Sequence, residues 1–136
     1  MELHTSARVV DSLVPEDLPT GRITRLLVEI AHDGLSRPIQ LPVLVARGAK
    51  PGPVFGLTAA LHGNELNGIP VIQHLFDRLD PKVLRGTVVG VIVVNVPGYL
   101  NHERYFANWD LNHMFPGRAD GNAASVYVNR VIERII

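Results

Sequence analysis

Residues 54–65 read Val-Phe-Gly-Leu-Thr-Ala-Ala-Leu-His-Gly-Asn-Glu, and this stretch decides the fold. Residues 54–61 are apolar almost throughout, which predicts a strand buried on both faces. Beyond Glu65 the period changes, because apolar residues recur every three or four positions, at Leu66, Ile69, Ile72, Phe76 and Leu79. That spacing predicts a helix with Pro70 near its first turn, which puts the regular start towards Gly68.

The sequence before residue 54 predicts an antiparallel hairpin behind a short lead-in. Residues 22–31 and 37–47 alternate apolar and polar side chains, as half-buried strands do. Asp33-Gly34 marks the turn between them. Pro42 lies inside the second strand and indicates a sheet edge, because proline cannot donate to a ladder. We therefore divide the chain into a lead-in (1–21), a hairpin (22–48) and an α/β core (53–136).

The sequence after the predicted helix contains a second buried strand and a second helix. Residues 86–94 are rich in valine, residues 95–118 have no clear period, and residues 123–136 return to helical spacing. Strand, helix, strand, helix order is typical of an α/β fold with a mostly parallel central sheet. In such sheets ligands bind beyond the carboxyl ends of the strands. His62 and Asn95 both follow such ends, so we expect the two loops to face one crevice.

Composition excludes several classes of function. The 136 residues suit one domain, and thirteen basic residues balance thirteen acidic ones, so no net field favours nucleic acid or an anionic membrane. Cysteine is absent, which removes disulfides, thiolate ligands and a cysteine nucleophile together. Residues 1–10 lack the apolar core of a signal peptide, and no apolar run is long enough to span a bilayer. We expect a cytoplasmic protein that binds a small molecule, with no nucleic acid and no membrane as partner.

The pair His62 and Glu65 is the leading candidate for chemistry. A nitrogen and a carboxylate oxygen three residues apart, where a strand stops and the chain turns, are what a zinc site needs from two of its ligands. The alternative is structural, in that both side chains cap the following helix or form hydrogen bonds within a turn. The spacing alone leaves the two interpretations equally open.

The long connection carries a second group of polar and aromatic residues. It contains Asn95-Val96-Pro97-Gly98, Arg104-Tyr105-Phe106 and Asp110-Leu111-Asn112-His113-Met114-Phe115. Its aromatic content favours an ordered segment. The alternative to a functional loop is an ordinary one, in which Asp110 and Asn112 are turn residues and Arg104 is an exposed charge.

These motifs resemble the succinylglutamate desuccinylase/aspartoacylase family, within the wider carboxypeptidase-like zinc hydrolases. The resemblance runs from about Val54 onward and rests on four motifs in order. They are His62-Gly63-Asn64-Glu65, Asn95-Val96-Pro97-Gly98, Arg104-Tyr105 and Asp110-Leu111-Asn112-His113-Met114-Phe115. The resemblance implies a three-layer carboxypeptidase-like α/β fold, preceded by the hairpin.

The resemblance also implies a role for each matching residue. His62 and Glu65 would be two of three zinc ligands, and Arg104 would polarise the scissile carbonyl and stabilise its oxyanion. Asn112 would donate a hydrogen bond to a substrate carboxylate. His113 stands where the family has an arginine that acts as a carboxylate clamp, and an imidazole cannot replace a bidentate guanidinium. The implied reaction is zinc-dependent hydrolysis of an amide bond in an N-acyl amino acid or a similar small molecule.

Two further expectations concern what the chain lacks. In the family the third zinc ligand is a histidine on a strand beyond the last helix, and the general-base glutamate lies further on. We therefore expect residues 1–136 to be the N-terminal portion of a single zinc-deacylase catalytic domain, incomplete at the C-terminus, with weak zinc binding. His74 lies off the buried stripe of its helix and is a poor substitute, whereas His102 and His113 lie in the long connection and could in principle reach the metal.

The alternative to an enzyme is a non-catalytic remnant that acts as a metal-binding or protein-interaction module. Such a remnant would bury its exposed sheet edge and helix face against a partner, or form a homo-oligomer. A metal-binding module would take up zinc without needing Arg104. Oligomeric state and zinc content separate these alternatives from the enzyme.

Overall fold

The computed structural model describes residues 7–136 as one five-stranded sheet with helices packed on it. The strands are β1 (Arg8–Val10), β2 (Arg22–His32), β3 (Pro38–Arg47), β4 (Lys50–Thr58) and β5 (Arg85–Val91). Their order in the sheet is β1-β2-β3-β5-β4. The helices are α1 (Gly68–Arg78), α2 (Val96–Asn101) and α3 (Ala123–Ile135), with 3₁₀ turns at Pro15–Asp17 and Leu111–His113. The predicted α/β class is confirmed.

The predicted hairpin is confirmed, and it continues the main sheet. β2 and β3 pair antiparallel from Arg22↔Arg47 to His32↔Pro38, and β3 pairs antiparallel with β5. The β1–β2 and β4–β5 pairs are parallel. The described sheet is therefore mixed, because the hairpin joins the parallel βαβ unit edge to edge instead of preceding it as a separate layer.

Pro42 does not mark a sheet edge, so that prediction is wrong. β3 lies between β2 and β5. The backbone of Pro42 faces β5 just beyond the last pair of that ladder, Val43↔Val91, and its carbonyl accepts a hydrogen bond from the Ile92 N–H at 3.0 Å. The N–H that proline lacks would point to this same side, towards β5 and beyond the end of that ladder. Its absence therefore removes no hydrogen bond from the β2–β3 pairing.

β4 departs furthest from the expectation of a strand buried on both faces. It begins at Lys50, four residues before the predicted start of the strand at Val54, and lies at the edge of the described sheet. Val54 and Phe55 are therefore 66% and 58% exposed. An apolar run indicates a strand, but it does not tell which neighbours cover that strand.

Helices α1 and α3 pack on opposite faces of the sheet, which gives the predicted three layers. α1 begins at Gly68 as predicted and buries Ile72 and Phe76 against side chains of β3 and β5. α3 buries Tyr127 and its neighbours against β2, β3 and β5. The Tyr127 hydroxyl donates a hydrogen bond to the Val94 carbonyl at 2.6 Å, which ties α3 to the chain just beyond β5.

The lead-in and the long connection contain more structure than predicted. Within the lead-in, β1 pairs with β2, whereas residues 1–6, with most of the segment considered as a signal peptide, lie outside the described residues. The 95–118 connection contains α2 and a 3₁₀ turn, both too short to show a helical period. Among residues 7–136 there is no helix that is both long and apolar enough to cross a membrane. The cytoplasmic location stays a prediction.

Candidate functional site

The candidate site lies where the parallel strands β4 and β5 end. The two loops beyond these strands stay in register, because the Asn95 N–H donates to the Ala60 carbonyl at 3.0 Å. Further along, the Gly63 N–H donates to the Arg104 carbonyl at 3.1 Å. The two loops therefore lie side by side. That both of them face one crevice stays a prediction.

His62 is held between two carboxylates, one at each ring nitrogen. Its Nδ1 lies 3.1 Å from Oε2 of Glu65, and its Nε2 lies 2.8 Å from Oδ1 of Asp110. The His62 side chain is 10% exposed and that of Glu65 is 59% exposed. The edge of the ring that faces Glu65 is therefore its more open side, and Asp110 holds the opposite edge.

The structural alternative for His62 and Glu65 is right about the turn and wrong about the cap. The Glu65 N–H donates to the His62 carbonyl at 3.0 Å, which closes a turn. Helix α1 starts three residues further on, at Gly68, and has Asn67 at its N-cap. The two side chains are consequently free to contact each other.

Opposite charges stabilise one another throughout this cluster. Burial lowers the pKa of His62, but hydrogen bonds to Asp110 and Glu65 outweigh burial and raise it overall. The hydrogen bond to His62 holds the pKa of Asp110 below its usual value. Hydrogen bonds to His62 and then to Arg104 lower the pKa of Glu65 in the same way. The contacts thus stabilise the protonated form of His62 and the ionised forms of Glu65 and Asp110 relative to the free side chains.

Arg104 contacts the second oxygen of Glu65. Its Nη1 donates to Oε1 at 2.7 Å, and this hydrogen bond raises the pKa of Arg104. The guanidinium carbon also lies 5.8 Å from the ring centre of Tyr105, within cation–π distance. The Arg104 side chain is 44% exposed, so it lies at the surface of the cluster.

One tight turn lies between Arg104 and Asp110, the two charged residues that contact the His62–Glu65 pair. Phe106 and Trp109 exchange two backbone hydrogen bonds of 2.9 and 2.8 Å. The two residues between them have φ values of 46° and 69°, the left-handed conformation of a type I′ hairpin turn. The chain before the turn carries Arg104, and the chain after it carries Asp110.

Asn112 and His113 lie outside this cluster of contacts. Asn112 is exposed, and its N–H donates to Oδ1 of Asp110 at 3.0 Å, as expected of a turn residue. The His113 side chain is 78% exposed, with Nε2 3.8 Å from Oδ2 of Asp110. The roles of these two residues at a substrate stay predictions.

Asp110 belongs to this cluster, although the sequence predicted only a turn role for it. It fills that role through the Asn112 N–H, and it also contacts His62, 48 residues away in sequence. No spacing rule connects residues so far apart. The available signal was its place at the head of the Asp-Leu-Asn motif, directly before the residues that did receive a role.

The donor atoms of His62 and Glu65 fit two positions of a zinc site. With bonds of about 2.0–2.1 Å, tetrahedral ligand atoms lie roughly 3.3 Å apart, and Nδ1 and Oε2 are 3.1 Å apart. A carboxylate on the other ring nitrogen is the usual partner of a histidine that binds zinc. Within residues 7–136 no group of three His, Cys, Asp or Glu side chains converges on one point, because Asp110 and Glu65 lie on opposite edges of the ring.

An open cleft of about 760 Å³ adjoins the cluster. It lies between the end of β4 and the start of α1, and Asn64 and Glu65 form part of its wall. The volume is in the range of small-molecule sites. Glu65 therefore contacts His62 and also forms part of the wall of this cleft.

Comparison with known proteins identifies relatives of the segment that holds the cluster. Residues 51–136 match the family model of the succinylglutamate desuccinylase/aspartoacylase catalytic domain. An N-alpha-acetyl-L-2,4-diaminobutyric acid deacetylase of Halomonas elongata is 32% identical over 99 residues, which cover 69% of this chain and 29% of that protein.

Solved structures share the fold. An aspartoacylase family protein from Mesorhizobium loti has a TM-score of 0.74 at 22% identity, covering 90% of this chain and 38% of that one. A succinylglutamate desuccinylase/aspartoacylase from Rhodobacter sphaeroides has a TM-score of 0.72 at 23% identity, with 90% and 39% covered. The product-bound ectoine utilization protein EutE (DoeB) from Ruegeria pomeroyi has a TM-score of 0.70 at 23% identity, with 84% and 37% covered. The carboxypeptidase-like fold is confirmed, and the chain spans between 29% and 39% of the length of these four relatives.

Proposed function

The chain belongs to the succinylglutamate desuccinylase/aspartoacylase family, and on that premise we propose that it forms part of a zinc-dependent hydrolase. The bond cleaved is the amide of an N-acyl amino acid or a similar small molecule. The Halomonas relative is named as the deacetylase of an acetylated amino acid, which supports this class of substrate.

The convergence of His62 Nδ1 and Glu65 Oε2 carries the proposal. Their separation of 3.1 Å suits two ligands of one zinc ion. Asp110, 2.8 Å from Nε2, would fix the orientation of the ring and increase its basicity. When bound, zinc supplies the activation of water for attack on an amide carbonyl.

Arg104, Asn112 and His113 have proposed roles around the substrate. Arg104 carries a positive charge next to Glu65 and would stabilise the oxyanion that develops on the carbonyl. The exposed side chain of Asn112 would donate to a substrate carboxylate. His113 offers an imidazole beside it, which binds a second carboxylate less strongly than a guanidinium does. We therefore infer a substrate without a demanding second carboxylate.

We propose that the chain is the N-terminal portion of a single catalytic domain, with a lead-in (1–21), a hairpin (22–48) and an α/β core (53–136). Hairpin and core share one sheet, which supports a single domain. The third zinc ligand and the general base that the family implies are not supplied by the described cluster. We expect weak zinc binding by the 136-residue chain, and robust turnover by that chain alone would contradict this assignment.

Zinc affinity tests the site. Chelator-treated protein is titrated with zinc in competition with a chromophoric chelator, for the natural chain and for His62→Ala. The matched control is His74→Ala, because His74 is an exposed histidine on α1. We expect one zinc per chain, lost in His62→Ala and kept in the control. Binding that survives His62→Ala, or absence of binding to the natural chain, would contradict the proposed site.

A protein-interaction module is the second candidate, and the exposed edge of β4 favours it. Val54 and Phe55 present apolar surface beside the unpaired backbone groups of an edge strand. Sedimentation measurements decide between the candidates. A stable complex that Phe55→Lys dissociates would support the module, whereas a monomer that binds zinc through His62 would contradict it.

A further inference from the structure

The carboxylate of Glu65 is divided between two positively charged partners. Its Oε2 faces Nδ1 of His62 at 3.1 Å, and its Oε1 accepts a hydrogen bond from Arg104 at 2.7 Å. Charge-assisted hydrogen bonds of this length are among the stronger ones in proteins. The negative charge that would attract a metal is therefore already engaged.

We propose that Arg104 is a latch on Glu65, whose guanidinium competes with the metal for the carboxylate and is released towards the substrate when the metal binds. The inference rests on the proposed function, since it takes His62 and Glu65 as metal ligands. It adds that Arg104, which is proposed to stabilise the oxyanion of the substrate, first has to release Glu65, which is a proposed metal ligand.

Like charges provide the driving force for release. A divalent cation on one oxygen of Glu65 and a guanidinium on the other would share a single carboxylate and repel each other. The attraction that holds Arg104 in place also weakens once the metal neutralises Glu65. Both effects act in the same direction, away from Glu65.

The surroundings of Arg104 allow its side chain to move while its backbone stays in place. The Arg104 carbonyl accepts hydrogen bonds from the Gly63 N–H at 3.1 Å and from Nδ2 of Asn95 at 3.4 Å. The side chain is 44% exposed, so solvent already reaches it. The Tyr105 ring, 5.8 Å from the guanidinium carbon, is a partner that Arg104 already has besides Glu65.

A positioning role makes the opposite prediction, so the sign of one measurement decides. If Arg104 held Glu65 in the geometry that the metal requires, its removal would weaken metal binding. If Arg104 is a latch, its removal takes away a competing cation and strengthens metal binding. No change in affinity is expected from a residue that does neither.

The experiment measures zinc affinity by chelator competition for the natural chain, Arg104→Ala and Arg118→Ala. Arg118 is the matched control, because it is an exposed arginine that pairs with Asp120 instead of Glu65. We expect Arg104→Ala to bind zinc at least about fivefold more tightly, as removal of a nearby like charge should do at moderate salt. We expect Arg118→Ala to match the natural chain. Equal or weaker binding by Arg104→Ala overturns the latch.

A second measurement follows the side chain directly. The ¹⁵N-edited NMR signal of the Arg104 Nε–H group should shift when zinc is added, and Glu65→Gln should produce a similar shift without zinc. If zinc binding depends on His62 but zinc leaves the Arg104 signal unchanged, the latch is overturned and the proposed function is not. Failure of all variants to bind zinc overturns both.

Discussion

Nε2 of His62 lies 2.8 Å from Oδ1 of Asp110, on the opposite edge of the imidazole from Glu65. The contact joins the loop after β4 to the segment that follows the 106–109 turn. A ring held at one nitrogen presents the other in a fixed direction. The geometry of the candidate zinc site therefore depends on a residue that would not itself bind the metal.

Replacement of Asp110 should weaken zinc binding without unfolding the chain. Asp110→Asn keeps an oxygen that can accept the Asn112 N–H, but it removes the charge that faces His62. Loss of such a carboxylate typically costs about 10–100-fold in metal affinity. Chelator competition measures the effect, with the exposed Asp120→Asn as control. Equal zinc affinities for Asp110→Asn and the natural chain would refute the role of this contact.

Gly63 should tolerate no side chain, because backbone atoms of three residues crowd it. A Cβ on Gly63 would overlap backbone atoms of Gly98, Tyr99 and Glu103. Gly63→Ala should therefore destabilise the fold by several kcal/mol, in the range of overpacked or strained buried sites. Gly56→Ala is the control, since a Cβ there meets nothing within 4 Å. Urea unfolding gives both values, and a Gly63→Ala variant as stable as the control would contradict the packing argument.

Much of the fold was predictable because it rests on local periodicity. The hairpin, α1 with its start at Gly68, and α3 all follow from spacing within one element. The exposure of β4 and the central place of β3 did not follow, since neighbours in a sheet are set by pairings distant in sequence. The prediction from Pro42 was wrong for the same reason. Whether a proline is tolerated inside a sheet depends on which neighbouring strand its missing N–H would face.

The candidate site was predictable only where motif and strand end coincide. The sequence placed His62 and Glu65 at the end of a strand, and the structure brings their side chains together. Two further contacts could not be predicted, namely Arg104 with Glu65 and Asp110 with His62. Both depend on the conformation of the 106–109 turn, in which Ala107 and Asn108 are left-handed. Neither residue carries the glycine signal that usually predicts such a turn.

Removal of the Tyr127 hydroxyl should cost about 1–2 kcal/mol of unfolding free energy. The side chain is 1% exposed, and its hydroxyl donates to the Val94 carbonyl at 2.6 Å. Tyr127→Phe keeps the ring packed against Phe106 and leaves the carbonyl without this donor. The control is Tyr99→Phe, at a ring that is 38% exposed. A change within error of the control, measured by urea unfolding, would show that the hydrogen bond contributes nothing net.

Substitution of His113 by arginine should tighten binding of an acyl-amino acid that has a second carboxylate. The His113 side chain is 78% exposed, so the longer guanidinium can be accommodated and can bind a carboxylate in bidentate fashion. Calorimetry with an N-acetyl dicarboxylic amino acid, on zinc-loaded protein, compares His113→Arg with the natural chain. His102→Arg adds the same charge elsewhere in the connection and serves as control. Unchanged or weaker binding by His113→Arg would count against the proposed substrate position.

The turn between β2 and β3 should make stability depend on pH through Asp33. Its carboxylate accepts hydrogen bonds from the N–H groups of Arg37 and Leu35 at 2.9 and 2.8 Å and pairs with the Arg37 side chain at 2.8 Å. The Arg37 N–H is the largest cause of the lowered pKa of Asp33. A lowered pKa in the folded state contributes stability above the unfolded value, about 3.9, and this contribution is lost as pH falls through the folded value.

Asp33→Asn should therefore be less stable than the natural chain near neutral pH, and the difference should shrink as the pH falls below about 3.9. Urea unfolding across that interval measures the difference in unfolding free energy at each pH. Asp77→Asn, at an exposed carboxylate on α1, is the matched control and should stay close to the natural chain throughout. A difference between Asp33→Asn and the natural chain that stays constant down to the lowest pH would mean that the turn depends on the shape of the side chain and not on its charge.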